Sequence, residues 1–240
     1  MSERVLVIGT GTFCSRVSEL LRKSGVPFVA LNALVEEVNT TGVTEALYSI
    51  RDYDWAVFTS VNAVNAVTSV ARQLGIERPL EGLRYVGAVG SSTSSALRRI
   101  WDGEIFVPSR FTTSALAEEL PDVEGSSVIA FRSELANDNM ASALTRRGAR
   151  RVVQVGAYSV RMKKDVELPE DHGLVLLGSP SAVRCYLTLC NSTGCEPRPA
   201  ICIGPVTSAA AAEMGLVVLG VAEVQTVEGL VRKIMEVVQG

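Results

Sequence analysis

One unit of sequence is written twice along the chain, and that repetition limits the folds open to it. Asp54–Val67 (DWAVFTSVNAVNAV) holds a four-residue apolar run, Trp55–Phe58, then a polar corner of Thr59, Ser60 and Asn62, then apolar residues at helical spacing. Gly173–Leu187 (GLVLLGSPSAVRCYL) repeats the pattern: Leu174–Leu177 is the apolar run, Ser179-Pro180-Ser181 the corner, and Ala182 and Val183 stand where Ala63 and Val64 stood. Each copy reads as strand, corner, helix. The corner exposes the N–H groups of a first helical turn and the positive end of the helix dipole, which suits anionic and polar ligands.

Further repeats set the register. Ser60 and Ser179 lie 119 positions apart, while Gly90-x-x-Thr93 and Gly204-x-x-Thr207 lie 114 apart, as do Thr112…Leu116 and Thr226…Leu230. The unit Val128–Val155 matches the N-terminal unit Val5–Leu31, with Gly148 standing where Gly25 stands. Strand and helix patterns alternate almost throughout, which calls for parallel sheet covered by helices on both faces. The expected fold is therefore α/β, with two similar lobes, each a parallel five-stranded sheet flanked by helices, joined by a two-segment linker. Residues 1–33 with 165–240 form one discontinuous lobe, and residues 42–157 form the other, inserted into it. The polar segments 34–41 and 158–164 cross between them. Asn32–Val43 is polar and β-branched and shows no amphipathic period, so it reads as a segment crossing between the lobes. Two such crossings would act as a hinge, with a ligand cleft between the lobes.

Composition excludes several classes. With 23 Lys and Arg against 26 Asp and Glu, the formal charge is −3, which argues against non-specific nucleic-acid binding. The richest apolar run, Ala209–Val224, is broken by Glu213 and Glu223 and falls short of the roughly 20 apolar residues a membrane span needs. The opening MSERVLVIG carries Glu3 and enters a strand at once, unlike a signal peptide. Five cysteines, an odd number spread from Cys14 to Cys202, fit a reducing cytoplasm better than a disulfide framework. Arg outnumbers Lys 19 to 4, which would suit an acidic ligand but also follows from compositional bias alone.

The familiar fingerprints are missing. Gly9 and Gly11 begin a G-x-G-x-x-G, but its third position is Cys14, and Leu31-Asn32 stands where a ribose-binding acid belongs. The single histidine, His172, reads as a solvated residue of a surface loop, Pro169–Gly173, and leaves Ser-His-Asp hydrolysis and histidine metal sites without support. Cys185, Cys190 and Cys195 recur at fives, the first two as small buried residues of one helix, so no metal is expected. What remains is a series of polar corners at C-terminal strand ends, the edge where α/β sheets bind ligands. They are Thr59–Asn62, Gly90–Thr93, Ser109–Thr113, Ser179–Ser181 and Gly204–Thr207. Taken singly, each is explained by helix capping. Together they form a cradle of backbone and hydroxyl donors for a ligand with several carboxylates or phosphates. Arg132, at a strand end in the same layer, either adds a fixed charge or is a solvated surface residue.

The ordered set of segments resembles the uroporphyrinogen-III synthase family. It comprises D-W-A-V-F-T-S-V-N-A-V at Asp54–Val64, A-V-G-S-S-T-S-S-A-L at Ala88–Leu97, and L-x-x-x-G-A with V-x-x-Y across Leu144–Tyr158. G-S-P-S-A-V at Gly178–Val183, C-I-G-P-V-T-S-A-A at Cys202–Ala210 and T-V-E-G-L at Thr226–Leu230 complete it. Each piece alone is a common strand–helix corner; the order is what is specific. The resemblance implies two α/β lobes on a two-stranded linker and a cofactor-free lyase acting on hydroxymethylbilane, a linear tetrapyrrole bearing eight carboxylates. Loss of its terminal hydroxyl leaves an azafulvene cation, ring D is inverted through a spiro intermediate, and the macrocycle closes as the type III isomer. Unassisted closure gives type I. Enzymatic work of this kind is mainly positional, which explains the scarcity of acid–base constellations. By motif position Tyr158 matches the tyrosine that assists departure of the hydroxyl; packing as a linker residue is its structural alternative. Ser60, Asn62, Gly90, Thr93, Arg132, Ser179, Ser181, Ala182, Gly204 and Thr207 are expected to bind substrate, largely through backbone N–H groups. Nothing demands an oligomer, so a monomer is expected, receiving substrate from the preceding enzyme of the pathway. The chain departs from the family at Gly9-Thr10-Gly11, where relatives carry an Arg-containing corner, and at Leu177-Gly178-Ser179, where they carry an aromatic-threonine-serine run. Its rivals are a bilobed module that binds an acidic small molecule without turning it over, and a nucleotide-dependent transferase, which the absent fingerprints disfavour.

Overall fold

A computed structural model describes residues 4–136 and 138–239. The chain divides into two compact units, Met1–Glu36 with Val160–Gly240, and Glu37–Ser159.

In the first unit the strands are β1 (Arg4–Thr10), β2 (Phe28–Val38), β8 (His172–Leu177), β9 (Ala200–Cys202) and β10 (Val218–Val221), in the order β10-β9-β8-β1-β2. In the second they are β3 (Trp55–Phe58), β4 (Tyr85–Ala88), β5 (Ile105–Phe106), β6 (Ser127–Ser133) and β7 (Arg151–Met162), in the order β7-β6-β3-β4-β5. Neighbours within each unit pair in parallel. The central strands are the apolar runs of the sequence, because a strand covered on both faces has no polar side to alternate with. Trp55–Phe58 is buried along its whole length.

Helices cover both faces. In the first unit α1 (Gly11–Lys23) and α9 (Val227–Gln239) share one core with Val5, Val7 and Leu176. On the other face α7 (Pro180–Thr193) and α8 (Pro205–Glu213) pack with Leu6, Ile8 and Leu177. In the second unit α5 (Thr113–Glu119) and α6 (Asn139–Arg146) pack with Val57, Val128 and Ala130. Opposite them, α2 (Thr40–Tyr48), α3 (Val61–Gln73) and α4 (Ser91–Leu97) pack with Phe58, Ile129 and Phe131. Helix α7 ends at Gly194, whose φ of 69° is a left-handed cap that glycine adopts without cost.

Three features were not legible in the sequence. The crossing segment has regular structure: β2 runs on to Val38, and α2 follows, capped by Asn39 Oδ1 accepting from Gly42 N–H at 3.0 Å. Val43, Ala46 and Leu47 give α2 an apolar face at helical spacing, Ile50 in the short 3-10 turn after it continues that face, and all four are buried in the core with α3. That period begins where the polar segment ends, so a boundary at residue 43 hides it. The return segment is likewise strand, as β7 extends to Met162. Each crossing strand is pinned within each unit: Asn39 N–H donates to the Ala157 carbonyl at 3.0 Å, and Lys163 N–H to the Ala33 carbonyl at 2.8 Å.

The third is His172, read from the sequence as a solvated loop residue, and that reading is corrected. It is 2% exposed and opens β8 instead of lying in a solvated loop. Its Nδ1 lies 2.7 Å from the Pro169 carbonyl and its Nε2 2.9 Å from the Tyr186 hydroxyl, and that hydroxyl accepts from Arg198 N–H at 2.8 Å. A lone polar side chain flanked by Asp171 and Gly173 looks like loop; the partner that makes burial tolerable sits 14 residues on, in α7.

Candidate functional site

The serine corners are near-copies in three dimensions. Ser60 caps α3 with φ −164° and ψ 159°, its Oγ accepting from Ala63 N–H at 3.1 Å. Ser179 caps α7 with φ −166° and ψ 160°, its Oγ accepting from Ala182 N–H at 3.2 Å. In both, a side-chain oxygen takes one of the orphan N–H groups of the first turn. Ser181 Oγ accepts from the Arg184 guanidinium at 3.2 Å, and Ala182 is buried. Asn62 is half-buried in the first turn of α3.

The glycine corners are built differently. Gly90 (φ −170°, ψ 177°) precedes α4 and Gly204 (φ −174°, ψ 175°) precedes α8, and neither helix has a side-chain cap. Ser91 and Ser92 are exposed in one first turn, Pro205 and Val206 in the other, while Thr93 and Thr207 are buried at 4% and 3% exposure. Val89 N–H donates to the Phe58 carbonyl and Ile203 N–H to the Leu177 carbonyl, both at 3.0 Å, which fixes each glycine corner beside the serine corner of its own unit. Without a capping side chain, the first-turn N–H groups are the donors these corners offer an anion.

Tyr158 joins the serine corner of the second unit. Its hydroxyl lies 3.0 Å from Ser60 Oγ, and its ring packs on the core beneath α3. A β-bulge brings it there. Along β7, Phe131 pairs with Val155 and Arg132 with Gly156, but Ser133 pairs with Tyr158, so Ala157 is an extra residue. Strict alternation would turn Tyr158 to the face of Val152, which packs under α5 and α6. The extra residue re-aims it to the face of Val153, Val155 and Ala157, under α3.

Arg132 is not a solvated surface residue. It is 5% exposed at the end of β6 and its guanidinium is bonded to Gln154, whose Nε2 donates to Asp138 Oδ1 at 2.7 Å. Burial pulls its pKa down and the Asp138 carboxylate opposes that shift.

The structure therefore brings Ser60 and Tyr158 into contact, sets Gly90 and Thr93 at the neighbouring corner, and places Ser179, Ser181, Ala182, Gly204 and Thr207 at the matching corners of the other unit. One participant was not anticipated. The half-buried ring of Phe13 covers Gly9 and Gly178: a Cβ at Gly9 would stand 2.6 Å from Phe13 Cδ1, and one at Gly178 2.5 Å from Cε2. That explains glycine in Leu177-Gly178-Ser179, since any side chain there meets the ring. No local signal announces it, because Gly178 lies 165 positions along the chain from Phe13. Among the described residues, no group of three or more His, Cys, Asp or Glu side chains is placed to hold a metal ion, and no helix is long and apolar enough to cross a membrane.

Comparison with known proteins places this arrangement. Residues 15–232 match the family model described as uroporphyrinogen-III synthase HemD. The porphyrin biosynthesis protein HemD of Ruminiclostridium josui is 24% identical over 250 residues, covering 98% of this chain and 48% of that protein, so the chain spans about half the length of this curated relative. Among solved structures, a mutant uroporphyrinogen III synthase from the extremely thermophilic bacterium Thermus thermophilus superposes with a TM-score of 0.68 at 16% identity, covering 98% of this chain and 99% of that one. The wild-type protein from the same organism gives 0.53 at 16% identity, with 98% of each chain covered. At that identity the two structures speak for the fold.

Proposed function

The chain belongs to the uroporphyrinogen-III synthase family, and from that premise we propose that it cyclises hydroxymethylbilane to uroporphyrinogen III with loss of water and inversion of ring D. Tyr158 donates its phenolic proton to the departing hydroxyl, which leaves as water, and the azafulvene cation remains. Attack by the substituted carbon of ring D, rearrangement and closure release a proton that restores the phenol. The charge balance needs no cofactor. The observation that supports the reading is the bulge at Ala157, after which the Tyr158 hydroxyl lies 3.0 Å from Ser60 Oγ, the cap of α3.

The corners hold the carboxylates. Gly90 and Gly204 leave first-turn N–H groups uncapped, and Thr93 and Thr207 line those corners. Ser60, Asn62, Ser179, Ser181 and Ala182 extend the donor set through backbone N–H groups, which leaves the Ser60 hydroxyl out of carboxylate binding, with Arg132 as a buried charge at the end of β6. Backbone donors let a protein of formal charge −3 bind a polyanion without a basic surface. The two lobes are taken as residues 1–33 with 165–240, and 42–157. The enzyme acts as a monomer in the cytoplasm, with substrate received from the preceding pathway enzyme. Tyr158→Phe tests the reading: turnover of hydroxymethylbilane falls at least severalfold, toward the roughly 100-fold that general acids commonly contribute, while folding is retained. Wild-type turnover in that variant would remove Tyr158 from the mechanism.

A further inference from the structure

The hydroxyl of Ser60 has more to do than cap a helix. Ala63 N–H donates to Ser60 Oγ at 3.1 Å, so one lone pair is taken and the Ser60 proton cannot point that way. Tyr158 Oη stands within reach of that proton at 3.0 Å. Donation running Ala63 N–H to Ser60 Oγ, and Ser60 O–H to Tyr158 Oη, leads away from the positive end of α3, the direction its dipole favours. Each bond in such a chain polarises the next.

We propose that Ser60 is the positioning residue of Tyr158: its hydroxyl donates to the phenol oxygen, turning the phenol's own proton outward to the leaving hydroxyl and supporting the negative charge left behind. The inference rests on the reading of Tyr158 as the acid.

The other unit supplies the comparison. It carries the same bulge at the same place: Gly9 pairs with Asn32 but Thr10 pairs with Leu34, leaving Ala33 as the extra residue. Ala33 and Ala157 are both 0% exposed. At the tyrosine's place, however, stands Leu34, 3% exposed in the core beneath α7. Ser179 keeps the cap to Ala182, and leucine has no oxygen to receive a second bond. Capping is common to both units; the serine-to-tyrosine bond belongs to one.

A double-mutant cycle separates the two roles. In otherwise wild-type protein, Ser60→Ala is expected to lower kcat about tenfold, the worth of one strong hydrogen bond, with KM little changed, and Ser60→Thr to restore it. In a Tyr158→Phe background the same Ser60→Ala change is expected to leave kcat where it was, because the group it acts through is gone. Loss of the cap lowers Tm equally in both backgrounds and so does not mimic this pattern. An equal fall in kcat in both backgrounds would reduce Ser60 to a structural cap, and an unchanged kcat in the single variant would remove its role altogether. Failure of the reading beneath it looks different: Tyr158→Phe alone would then turn over at the wild-type rate.

Discussion

Replacing Tyr186 by phenylalanine removes one oxygen from a fully buried side chain and opens no cavity, so its effect isolates a hydrogen-bond relay. The Pro169 carbonyl can only accept, so His172 Nδ1 carries the ring proton across their 2.7 Å contact. In the neutral ring Nε2 is then an acceptor, and the Tyr186 hydroxyl donates to it at 2.9 Å while accepting from Arg198 N–H at 2.8 Å. In Tyr186→Phe, Arg198 is exposed and water can take over its N–H, but His172 is 2% exposed and its Nε2 loses this donor. Taking the donor from a buried acceptor costs about 1–3 kcal/mol, and at about 2–4 °C per kcal/mol for a chain of this length Tm should fall by about 2–12 °C. Scanning calorimetry measures the fall. Because the chain has one histidine, nitrogen NMR of 15N-histidine-labelled protein reads without assignment which ring nitrogen carries the tautomeric proton, Nδ1 in the parent. A Tm within about 1 °C of the parent, or a ring protonated on Nε2 instead of Nδ1, would refute the relay.

Two further outcomes follow from the corners and the thiols. Thr93→Ala and Thr207→Ala should each lower kcat/KM less than Gly90→Val, because backbone N–H groups do most of the holding; at φ −170° valine is admissible, and its Cβ would crowd the corner at 3.1 Å from Phe111 Cγ. Steady-state kinetics on folded variants decides, and loss of all activity in either Thr→Ala variant would contradict it. Burial pushes the thiols of Cys14, Cys185 and Cys202 up to about 11, and that of Cys190 upward as well. At pH 8 a thiol with a pKa of about 11 is roughly one part in a thousand thiolate, and only Cys195 among the five is not buried. A disulfide reagent should therefore titrate one thiol quickly in the native protein and the other four on unfolding; a second fast thiol would show that one of these cores opens.

Much of this architecture was legible because strands buried on both faces announce themselves as apolar runs, as Trp55–Phe58 and Leu174–Leu177 do. Spacing between equivalent corners, such as Ser60 to Ser179 and Gly90 to Gly204, carried the internal repeat, and the near-equal dihedral angles at those pairs follow from it. What escaped depends on pairs of distant residues. A β-bulge is a mismatch between two strands, so neither β6 nor β7 alone discloses that Ala157 is extra or that Tyr158 changes face. His172 reads as loop until Tyr186 is known to meet it. Gly178 reads as a departure from its family until the Phe13 ring is found against it. Helix α2 was missed for a local reason: its apolar residues, Val43, Ala46 and Leu47, begin only where a polar stretch ends.

Isomer analysis of the product tests the proposed reaction most directly. Hydroxymethylbilane generated in situ would be offered to the purified protein, the products oxidised, and the uroporphyrin isomers separated by chromatography. A synthase that holds ring D for inversion yields predominantly type III. Type I alone, from folded protein, would contradict the account, since unassisted closure gives that same isomer.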